Sequence, residues 1–474
     1  MQFHPAFFSR CFAVSALLAA NLLVALPALA QLPPEVDAAL ARAKLPREAV
    51  TFLVTDADAK APPRLSHRAN VPVNPASVMK LVTTYVALDQ LGPAFTWSTP
   101  VYTDGPLQAG TLHGNLYIKG LGDPKLVVER LWLLLRRVQG LGIQTISGDI
   151  VLDRSAFETV PQDPASFDGE PLRPYNAAPD ALLLNFKSVV MTFVPDRTAG
   201  VASVSIEPPL AGVQMQTSVP LMAVDCGDYR ATLKPDFSDP SRIRFTGSYP
   251  ATCGERTWPI AYADPKSYAA RAVEGMWRHL GGKLGGMTRE GTVPQSLKPA
   301  FEIASPTLTE VVRDVNKYSN NVMAQQLFLT LSLQQKGSGT LDGSRDVVGR
   351  WWRERIGDDP PQLDNGSGLS RSERITASAL ARLLQSAWAS PLMPELMSSL
   401  PITGVDGTLR RSKARAAGAA HLKTGSLNNV TAIAGYVHAA SGKRYVLIAI
   451  ANHANAAAAR PVFDALVDWT AKDN

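Results

Sequence analysis

Apolar residues recur with helical spacing near both ends of the chain. Within 78–91 they surround the helix axis on most sides, which indicates a buried helix that ends at Gly92 and Pro93. Other segments are rich in β-branched and aromatic residues, as strands are. The predicted helices lie at 33–45, 74–91, 307–333 and 459–472, and the predicted strands at 49–57, 421–439 and 443–454. This order predicts one α/β domain assembled from the two ends of the chain.

The middle of the chain has a different pattern. Between residues 96 and 300, short β runs alternate with turn residues, as in TLHGNLYIKGLGDP at 111–124 and RIRFTGSYP at 242–250. Such runs do not continue the helical pattern of the two ends. We therefore predict an insertion of one or two mainly β modules.

One lysine interrupts the buried helix at its start. Lys80 follows Ser77 by three residues, so both side chains lie on one face of a helix. A serine hydroxyl is a weak nucleophile that needs a base, and a lysine can be that base when burial or a nearby cation depresses its pKa. The helix N-terminus also favours negative charge that develops at the serine. This spacing alone is weak support for catalysis, because a surface lysine whose ammonium group extends into water could have a serine at the same spacing.

Two later motifs strengthen the catalytic interpretation. Ser319 and Asn321 form an S-x-N inside a helical pattern, and Lys423, Thr424 and Gly425 form a K-T-G at the start of a strand pattern. The structural alternatives are a mid-helix serine bonded to its own backbone and a surface amide. S-x-x-K, S-x-N and K-T-G in this order are the motifs of penicillin-interacting serine enzymes.

The chain resembles one branch of these enzymes, the D-alanyl-D-alanine carboxypeptidase/endopeptidases of the S13 peptidase family, also called class C low-molecular-mass penicillin-binding proteins. The resemblance rests on NPASVMKLVTTYVAL, NGSGLSR at 365–371, GVDGTLRRS at 404–412 and HLKTGSLNNVTAIAGYV, and on the long insertion between the first two motifs. It covers nearly the whole chain after residue 30. Two positions differ from the family pattern, since Asn320 and Asn365 stand where aspartate is expected.

The resemblance implies the fold class, which is α/β. It is the transpeptidase domain of penicillin-binding proteins and serine β-lactamases, an antiparallel sheet flanked by helices, with inserted mainly β domains. We expect this domain to comprise 31–95 and 300–474. The insertion is expected to form a second domain at 96–187 and 254–299, with a third, β-rich domain nested in it at 188–253.

The resemblance also implies the catalytic roles. Ser77 is the nucleophile and Lys80 its base. Lys423 is a second cation that would depress the pKa of Lys80 and attract the substrate carboxylate. Ser319 would relay a proton to the leaving amine.

The binding roles follow from the same resemblance. Asn321 would hydrogen-bond the backbone amide of the substrate, and Thr424 would bind its terminal carboxylate. The backbone N–H groups of Ser77 and Ser426 would form an oxyanion hole. Gly425 would leave room for the substrate against the strand.

A loop of the insertion, 167–185, is the expected reader of the peptide side chain. In the family, an acidic residue and an aromatic residue from such a loop receive the free amino end of meso-diaminopimelate. Glu170 is the first candidate for the acid and Asp168 the second, with Tyr175 as the aromatic residue and Leu427 on the opposite wall. The alternative is a solvated surface loop.

The composition fits a large folded protein. The 474 residues are 46% hydrophobic and 19% charged, and the net charge of +6 comes without a long basic run, so nucleic acid binding is not indicated.

Residues 1–30 have the pattern of a secretory signal, with Arg10 before an apolar stretch and a small-residue cleavage site before Gln31. An uncleaved anchor is the alternative. We expect a periplasmic protein, in which the remaining Cys226 and Cys253 favour a disulfide over two separate thiols.

The leading hypothesis is a periplasmic serine peptidase that acts on peptidoglycan peptides without a cofactor or metal. It would release terminal D-alanine and, by resemblance, cut D-Ala–diaminopimelate cross-links, and β-lactams would acylate it. One alternative is a serine β-lactamase, which the large insertion and the absence of an E-x-x-L-N motif disfavour. The other is an inactive wall-binding scaffold, which the three intact motifs disfavour. Homo-oligomeric and peripheral membrane association stay open.

Overall fold

A computed structural model describes residues 32–158 and 163–473. The predicted signal peptide at 1–30 lies outside the described residues. Within these ranges, no helix has both the length and the apolarity needed to cross a membrane. The helices are α1 (Pro34–Ala43), α2 (Lys80–Leu91), α3 (Val128–Gly140), α4 (Tyr229–Leu233), α5 (Tyr268–His279), α6 (Leu308–Lys317), α7 (Asn321–Lys336), α8 (Leu341–Arg355), α9 (Ala377–Ala389), α10 (Met393–Ser399) and α11 (Arg460–Lys472).

Many strands of the middle of the chain have only two to four residues, whereas Ser188–Asp196, Val430–His438 and Arg444–Asn452 have nine each. They are β1 (Val50–Asp56), β2 (Leu65–His67), β3 (Ser98–Thr103), β4 (Leu107–Gln108), β5 (Thr111–Leu112), β6 (Leu116–Lys119), β7 (Thr145–Ile146), β8 (Ile150–Asp153), β9 (Ser188–Asp196), β10 (Val201–Glu207), β11 (Gln214–Met215), β12 (Ser218–Met222), β13 (Pro235–Asp236), β14 (Arg242–Phe245), β15 (Tyr249–Pro250), β16 (Arg256–Ala261), β17 (Lys283–Leu284), β18 (Thr288–Glu290), β19 (Phe301–Ala304), β20 (Ala420–Leu427), β21 (Val430–His438) and β22 (Arg444–Asn452).

A five-stranded antiparallel sheet forms the centre of the domain built from the chain ends. Its order is β2-β1-β22-β21-β20, so the first strand pairs with the last one. Along that pair, Val50 lies opposite Ala451 and Asp56 lies opposite Tyr445. Strand β20, which carries the K-T-G motif, is at one edge of the sheet.

Helices cover both faces of this sheet because alternate residues of its strands are apolar on each side. In β22, Val446 and Ile448 belong to the core under α2 and α6–α10. Leu447 and Ala449 face the other way, into the core under α1 and α11. The predicted fold class, an antiparallel sheet between helices, is confirmed.

The predicted helix at 307–333 is wrong in one respect, because two helices, α6 and α7, occupy this segment. The apolar periodicity is continuous, but Ser319 has a left-handed φ of 56° that breaks the helix. Asn320 then caps α7 by accepting a hydrogen bond from the Met323 N–H at 3.0 Å. A capping box begins α6, with Thr307 and Glu310 bonded to each other.

The insertion runs from β3 to β19 and contains several small sheets. Their orders are β18-β8-β6-β3-β19, β17-β7-β5-β4, β15-β12-β10-β9-β16 and β11-β14-β13. Two amphipathic helices, α3 and α5, pack into the same core as these sheets, which the sequence pattern did not predict. Strand β16 completes the sheet of β9 and β10, although the expected nested domain ends at 253. The residue boundaries of the domains stay a prediction.

The chain enters and leaves the insertion through one strand pair. Strands β3 and β19 are antiparallel neighbours, with Val101 opposite Phe301. Trp97, just before β3, packs in the core of the terminal domain, and so does Leu308, just after β19. Val101 and Phe301 themselves belong to the core of the insertion. Entry and exit are therefore side by side.

The insertion is attached to α7, the helix that begins with the asparagine of S-x-N. The buried Gln326 accepts a hydrogen bond from the Asp180 N–H at 2.8 Å and donates one to the Asp180 carbonyl oxygen at 2.8 Å. The Asp180 carboxylate also pairs with Arg154 and with Lys187. These contacts hold the turn at Pro174–Asn176 against α7.

Cys226 and Cys253 form a disulfide inside the insertion. Cys253 is buried in the core that the small sheets share, and Cys226 packs at its margin. The bond therefore closes the segment that contains β13–β15.

Replacing both cysteines with alanine is expected to lower the free energy of unfolding by about 3 kcal/mol, because the bond restricts the unfolded chain across 27 residues. Chemical denaturation of the wild type and the double variant, each with and without reductant, measures this difference. Reductant should destabilise the wild type alone. Equal stability of the oxidised wild type and the double variant would contradict the expectation.

Candidate active site

Ser77 and Lys80 lie where a 3-10 turn, Ala76–Met79, passes into α2. Ala76 has a left-handed φ of 47°, which turns the chain sharply into the helix. Ser77 is 8% exposed, and Lys80 is fully buried because the helix is apolar on most sides. The Lys80 Nζ atom donates a hydrogen bond to Ser77 Oγ at 2.9 Å. The predicted pairing of serine and lysine is therefore present, and the alternative of a surface lysine is wrong.

Lys80 has two further acceptors on other parts of the domain. Its Nζ atom donates to Asn321 Oδ1 at 2.6 Å and to the Ser367 carbonyl oxygen. Three acceptors match the three protons of an ammonium group, so the buried side chain is held in one position. Burial lowers the pKa of Lys80 to about 7, although the negative charge of Glu373 acts in the opposite direction.

Lys423 forms a second buried lysine–serine pair. Its Nζ atom donates to Ser319 Oγ at 2.9 Å and to the Thr424 carbonyl oxygen at 2.6 Å. Ser319 lies in the short connection between α6 and α7, so the alternative of a mid-helix serine is wrong. Burial, and then repulsion from Lys80, lowers the pKa of Lys423 well below its usual value. For Lys80, burial is the main cause of the lowered pKa. From the sequence we had also expected the charge of Lys423 to lower it.

The edge strand β20 passes very close to the serine. At Gly425 a Cβ atom would lie 2.7 Å from the Pro75 carbonyl oxygen and 3.0 Å from the Ser77 nitrogen, so only glycine permits this approach. On the neighbouring position, Thr424 Oγ1 lies 2.7 Å from Thr408 Oγ1, in the GVDGTL segment. The strand thus presents its backbone edge, with Ser426 next in line, to the groove above Ser77.

Glu373 is a buried acid near the site that sequence reasoning missed. Its Oε1 atom accepts backbone N–H groups from Asp364 at 3.1 Å, Asn365 at 3.3 Å and Gly366 at 3.1 Å. The side chain is fully buried, and burial raises its pKa to about 7. It holds the loop whose Ser367 carbonyl accepts from Lys80. The acid follows NGSGLSR closely in the sequence, but no pattern there indicates that it folds back under the loop.

The two departures from the family pattern have defined contacts. Asn365 Oδ1 accepts the Ser367 N–H at 3.0 Å, while its Nδ2 donates to the Leu369 carbonyl oxygen at 3.1 Å. An aspartate could not make the second bond, because an ionised carboxylate has no donor. Asn320 caps α7 with its side-chain oxygen, as an aspartate also would.

The loop at 167–185 reaches the site through Tyr175, whose carbonyl oxygen accepts from Asn321 Nδ2 at 3.4 Å. The Tyr175 hydroxyl donates to Asp168 Oδ2 at 2.9 Å. Glu170, the first candidate from the sequence, instead pairs with Arg173 at 3.3 Å, with both side chains about half exposed. Asp168 is therefore the acid bonded to the aromatic residue. Leu427 ends β20 and is half-buried.

Comparisons with known proteins agree with this geometry. A model of the D-Ala-D-Ala carboxypeptidase 3 (S13) family matches residues 32–473. The chain is 28% identical over 416 residues to a D-alanyl-D-alanine carboxypeptidase of Actinomadura sp. (strain R39), covering 81% of this chain and 74% of the relative. It is 24% identical over 387 residues to D-alanyl-D-alanine carboxypeptidase DacB of Haemophilus influenzae, covering 79% of each.

The fold is similar to that of a solved structure, penicillin binding protein 4 (dacB) from Haemophilus influenzae. The TM-score is 0.73 at 22% identity, over 91% of this chain and 99% of that one. A second structure of that protein is a complex with a β-lactam, and it matches with a TM-score of 0.68 at 23% identity, over 89% of this chain and 94% of that one.

Replacing Glu373 with glutamine is expected to move the acid limb of Ser77 reactivity to lower pH. The ionised carboxylate raises the pKa of Lys80, so its removal leaves the lysine neutral, and able to accept a proton, at lower pH. Glutamine keeps an oxygen for the three N–H groups. The measurement is the rate of acylation by a chromogenic ester as a function of pH.

The matched control is Glu354→Gln, which removes an exposed carboxylate on α8. It should leave the pH profile where it is. A slower Glu373→Gln variant with an unmoved acid limb would mean that Glu373 only supports the loop.

Proposed function

The chain belongs to the D-Ala-D-Ala carboxypeptidase 3 (S13) family and is a serine-type carboxypeptidase; from this and from the geometry of the site, we propose that it works through an acyl-enzyme on Ser77. The substrate is a peptidoglycan peptide that ends in D-Ala-D-Ala. The observation that carries the proposal is the 2.9 Å hydrogen bond from a fully buried lysine to the serine hydroxyl.

Acylation begins when Ser77 Oγ attacks the carbonyl carbon of the penultimate D-alanine. The hydroxyl proton passes to the neutral amine of Lys80, which a pKa of about 7 makes available at neutral pH. The backbone N–H groups of Ser77 and Ser426 stabilise the oxyanion. In the neutral amine, two N–H groups can keep the bonds to Asn321 and to the Ser367 carbonyl while the lone pair accepts the Ser77 hydroxyl, so little reorganisation is needed before the proton moves.

The tetrahedral intermediate then collapses with cleavage of the C–N bond. Ser319, bonded to Lys423 at 2.9 Å, passes its proton to the leaving amine, and the proton that Lys80 took from Ser77 returns to Ser319, so that terminal D-alanine departs as a neutral amine and Lys80 is neutral again. Thr424 binds the carboxylate of that residue, and Asn321 holds the substrate amide. A water molecule next attacks the ester, Lys80 takes its proton, and the shortened peptide leaves while Ser77 regains its hydrogen.

The same chemistry extends to two further classes of substrate. A β-lactam carries a strained amide that Ser77 would open, and the ring nitrogen would remain attached and slow the departure of the acyl group. A D-Ala–diaminopimelate cross-link has the same acyl part as a D-Ala-D-Ala terminus with a larger amine as leaving group, so we propose endopeptidase activity as well. The export signal expected at 1–30 and the Cys226–Cys253 disulfide support a periplasmic location.

Ser77→Ala is expected to abolish both D-alanine release from diacetyl-Lys-D-Ala-D-Ala and labelling by a fluorescent penicillin, since the nucleophile is lost. Lys80→Ala should slow acylation by about 100- to 10,000-fold, the usual contribution of a general base. The matched control is Ser378→Ala, which removes a hydroxyl of α9 that is bonded to Asn70. Labelling that survives in Ser77→Ala would contradict the nucleophile assignment.

The wild type separates the remaining alternatives in the same assay. Stable labelling with D-alanine release supports the peptidase. Rapid turnover of the penicillin would indicate a β-lactamase. The absence of both reactions would indicate a non-catalytic wall-binding protein.

We propose that Asp168 binds the free amino group of the peptide side chain, and that Glu170 is the second candidate. Asp168 is fixed by Tyr175 and by Asn176, whose Nδ2 atom donates to it at 2.8 Å. Glu170 already faces the guanidinium of Arg173. A fixed carboxylate beside an aromatic ring suits an ammonium group on an apolar stem, and Leu427 would line the opposite wall.

Asp168→Asn is expected to lower kcat/KM about 10-fold or more for peptides with a free side-chain amino group, because a charge-assisted hydrogen bond is lost. Glu170→Gln should have a smaller effect. Acetylated peptides and penicillins without the amino group serve as control substrates. Equal losses on all substrates would show that the loop supports the fold and does not read the peptide.

A further inference from the structure

The groove that contains Ser77 continues well beyond the catalytic residues. A cavity of about 910 Å³ begins at Ser77, Ser319 and Thr424 and extends past the GVDGTL segment to α1 and α11. D-Alanine is a small leaving group that would occupy only the start of this volume. The remainder of this volume is more than D-alanine alone would fill.

Four cationic side chains line the far part of the cavity. They are Arg42 on α1, Arg411 and Lys413 after the GVDGTL segment, and Arg460 at the start of α11. All four are exposed, and none forms an ion pair with another residue in the parts of the chain that the structure describes. The lining includes one carboxylate, Asp464, which accepts from Ser412 Oγ at 2.6 Å and from the Lys413 N–H at 3.3 Å. The far part therefore has a net positive charge.

The two sides of the catalytic serine are different in character. The loop with Asp168 and Tyr175 contacts Asn321 on one side, where we placed the acyl part of the substrate. Thr424 and Thr408 lie on the other side, where the terminal carboxylate of the leaving group would bind. The four cations lie beyond this second pair, so they are on the side of the leaving group.

Strand β20 lines the cavity between Ser77 and the cationic side chains. It is the edge strand of the sheet, and its backbone from Thr424 to Ser426, beyond the bridge between His421 and Ile402, can pair with an extended peptide. Side chains alternate along it, so Leu422, Thr424 and Ser426 share the face that lines the cavity. A leaving group longer than one residue would thus be led from Ser77 toward α1 and α11.

We propose that Arg42, Arg411, Lys413 and Arg460 form a subsite for an anionic leaving peptide, the amine-side strand of a cross-link. The inference rests on the proposed endopeptidase activity. When a D-Ala–diaminopimelate bond is cut, the departing strand retains the carboxylate next to the nitrogen of the cleaved amide and further carboxylates along its peptide. Guanidinium groups bind carboxylates with two parallel hydrogen bonds, and a group of unpaired cations also attracts the strand through water.

The test uses the whole protein with two substrates, a cross-linked muropeptide dimer and the monomeric D-Ala-D-Ala peptide. The Arg411→Gln/Lys413→Gln and Arg42→Gln/Arg460→Gln variants should each lower the ratio of cross-link cleavage to D-alanine release, by about 10-fold for the four changes together. The loss should appear in KM and should weaken as salt is added, because exposed charges are screened. Acylation by fluorescent penicillin reports that each variant is folded.

The matched control is Arg410→Gln, since Arg410 is an exposed neighbour of Arg411 outside the cavity lining. It should leave the ratio unchanged. Equal losses on both substrates, or the same loss in Arg410→Gln, would overturn the subsite. Inhibition by polyphosphate without a change in the ratio would assign the cations to a phosphate polymer instead, and would overturn it too.

Failure of the proposed function gives a different result. If the wild type releases D-alanine but does not cut the dimer, the endopeptidase proposal fails and the subsite fails with it. If the wild type cuts the dimer and all variants keep the wild-type ratio, the subsite alone is wrong.

Discussion

The hydrogen bonds of the buried Lys80 ammonium group are the interaction on which the rest of the site depends. They join the start of α2, the start of α7 and the loop that contains Ser367, three segments far apart in the sequence. A buried ammonium group is costly unless its donors are satisfied, so each of these segments must keep its position. The sheet, the helices on its two faces and the insertion attached to α7 provide that rigidity.

Burial of the two lysines is costly for the fold, and it also prepares them for proton transfer. Lys80 and Lys423 are both fully buried, and each donates to one serine of the site. Burial lowers the pKa of both lysines, so neutral amines are accessible without a metal or a histidine.

Much of this arrangement could be predicted from the sequence, because short-range patterns determine it. Three features are visible within short stretches of sequence: the serine–lysine spacing, the strand pattern around Lys423 and the buried helix after Ser77. The break at Ser319 could not be predicted, since the apolar periodicity continues through it and only the backbone shows the left-handed turn. Glu373 and the choice between Asp168 and Glu170 depend on how loops fold back, which spacing along the chain does not encode. The helices α3 and α5 were missed because turn-rich β runs surround them.

The central claim is that a large fraction of Lys80 is already neutral near pH 7 and accepts the proton of Ser77. The most direct measurement is the second-order rate of acylation of the wild-type protein by a β-lactam across the pH range, with the adduct on Ser77 confirmed by mass spectrometry. The account predicts a rate that rises with pH and reaches half its maximum near pH 7, where Lys80 loses its proton. A rate that keeps rising toward the usual lysine pKa of 10.5, or one that is independent of pH, would contradict it.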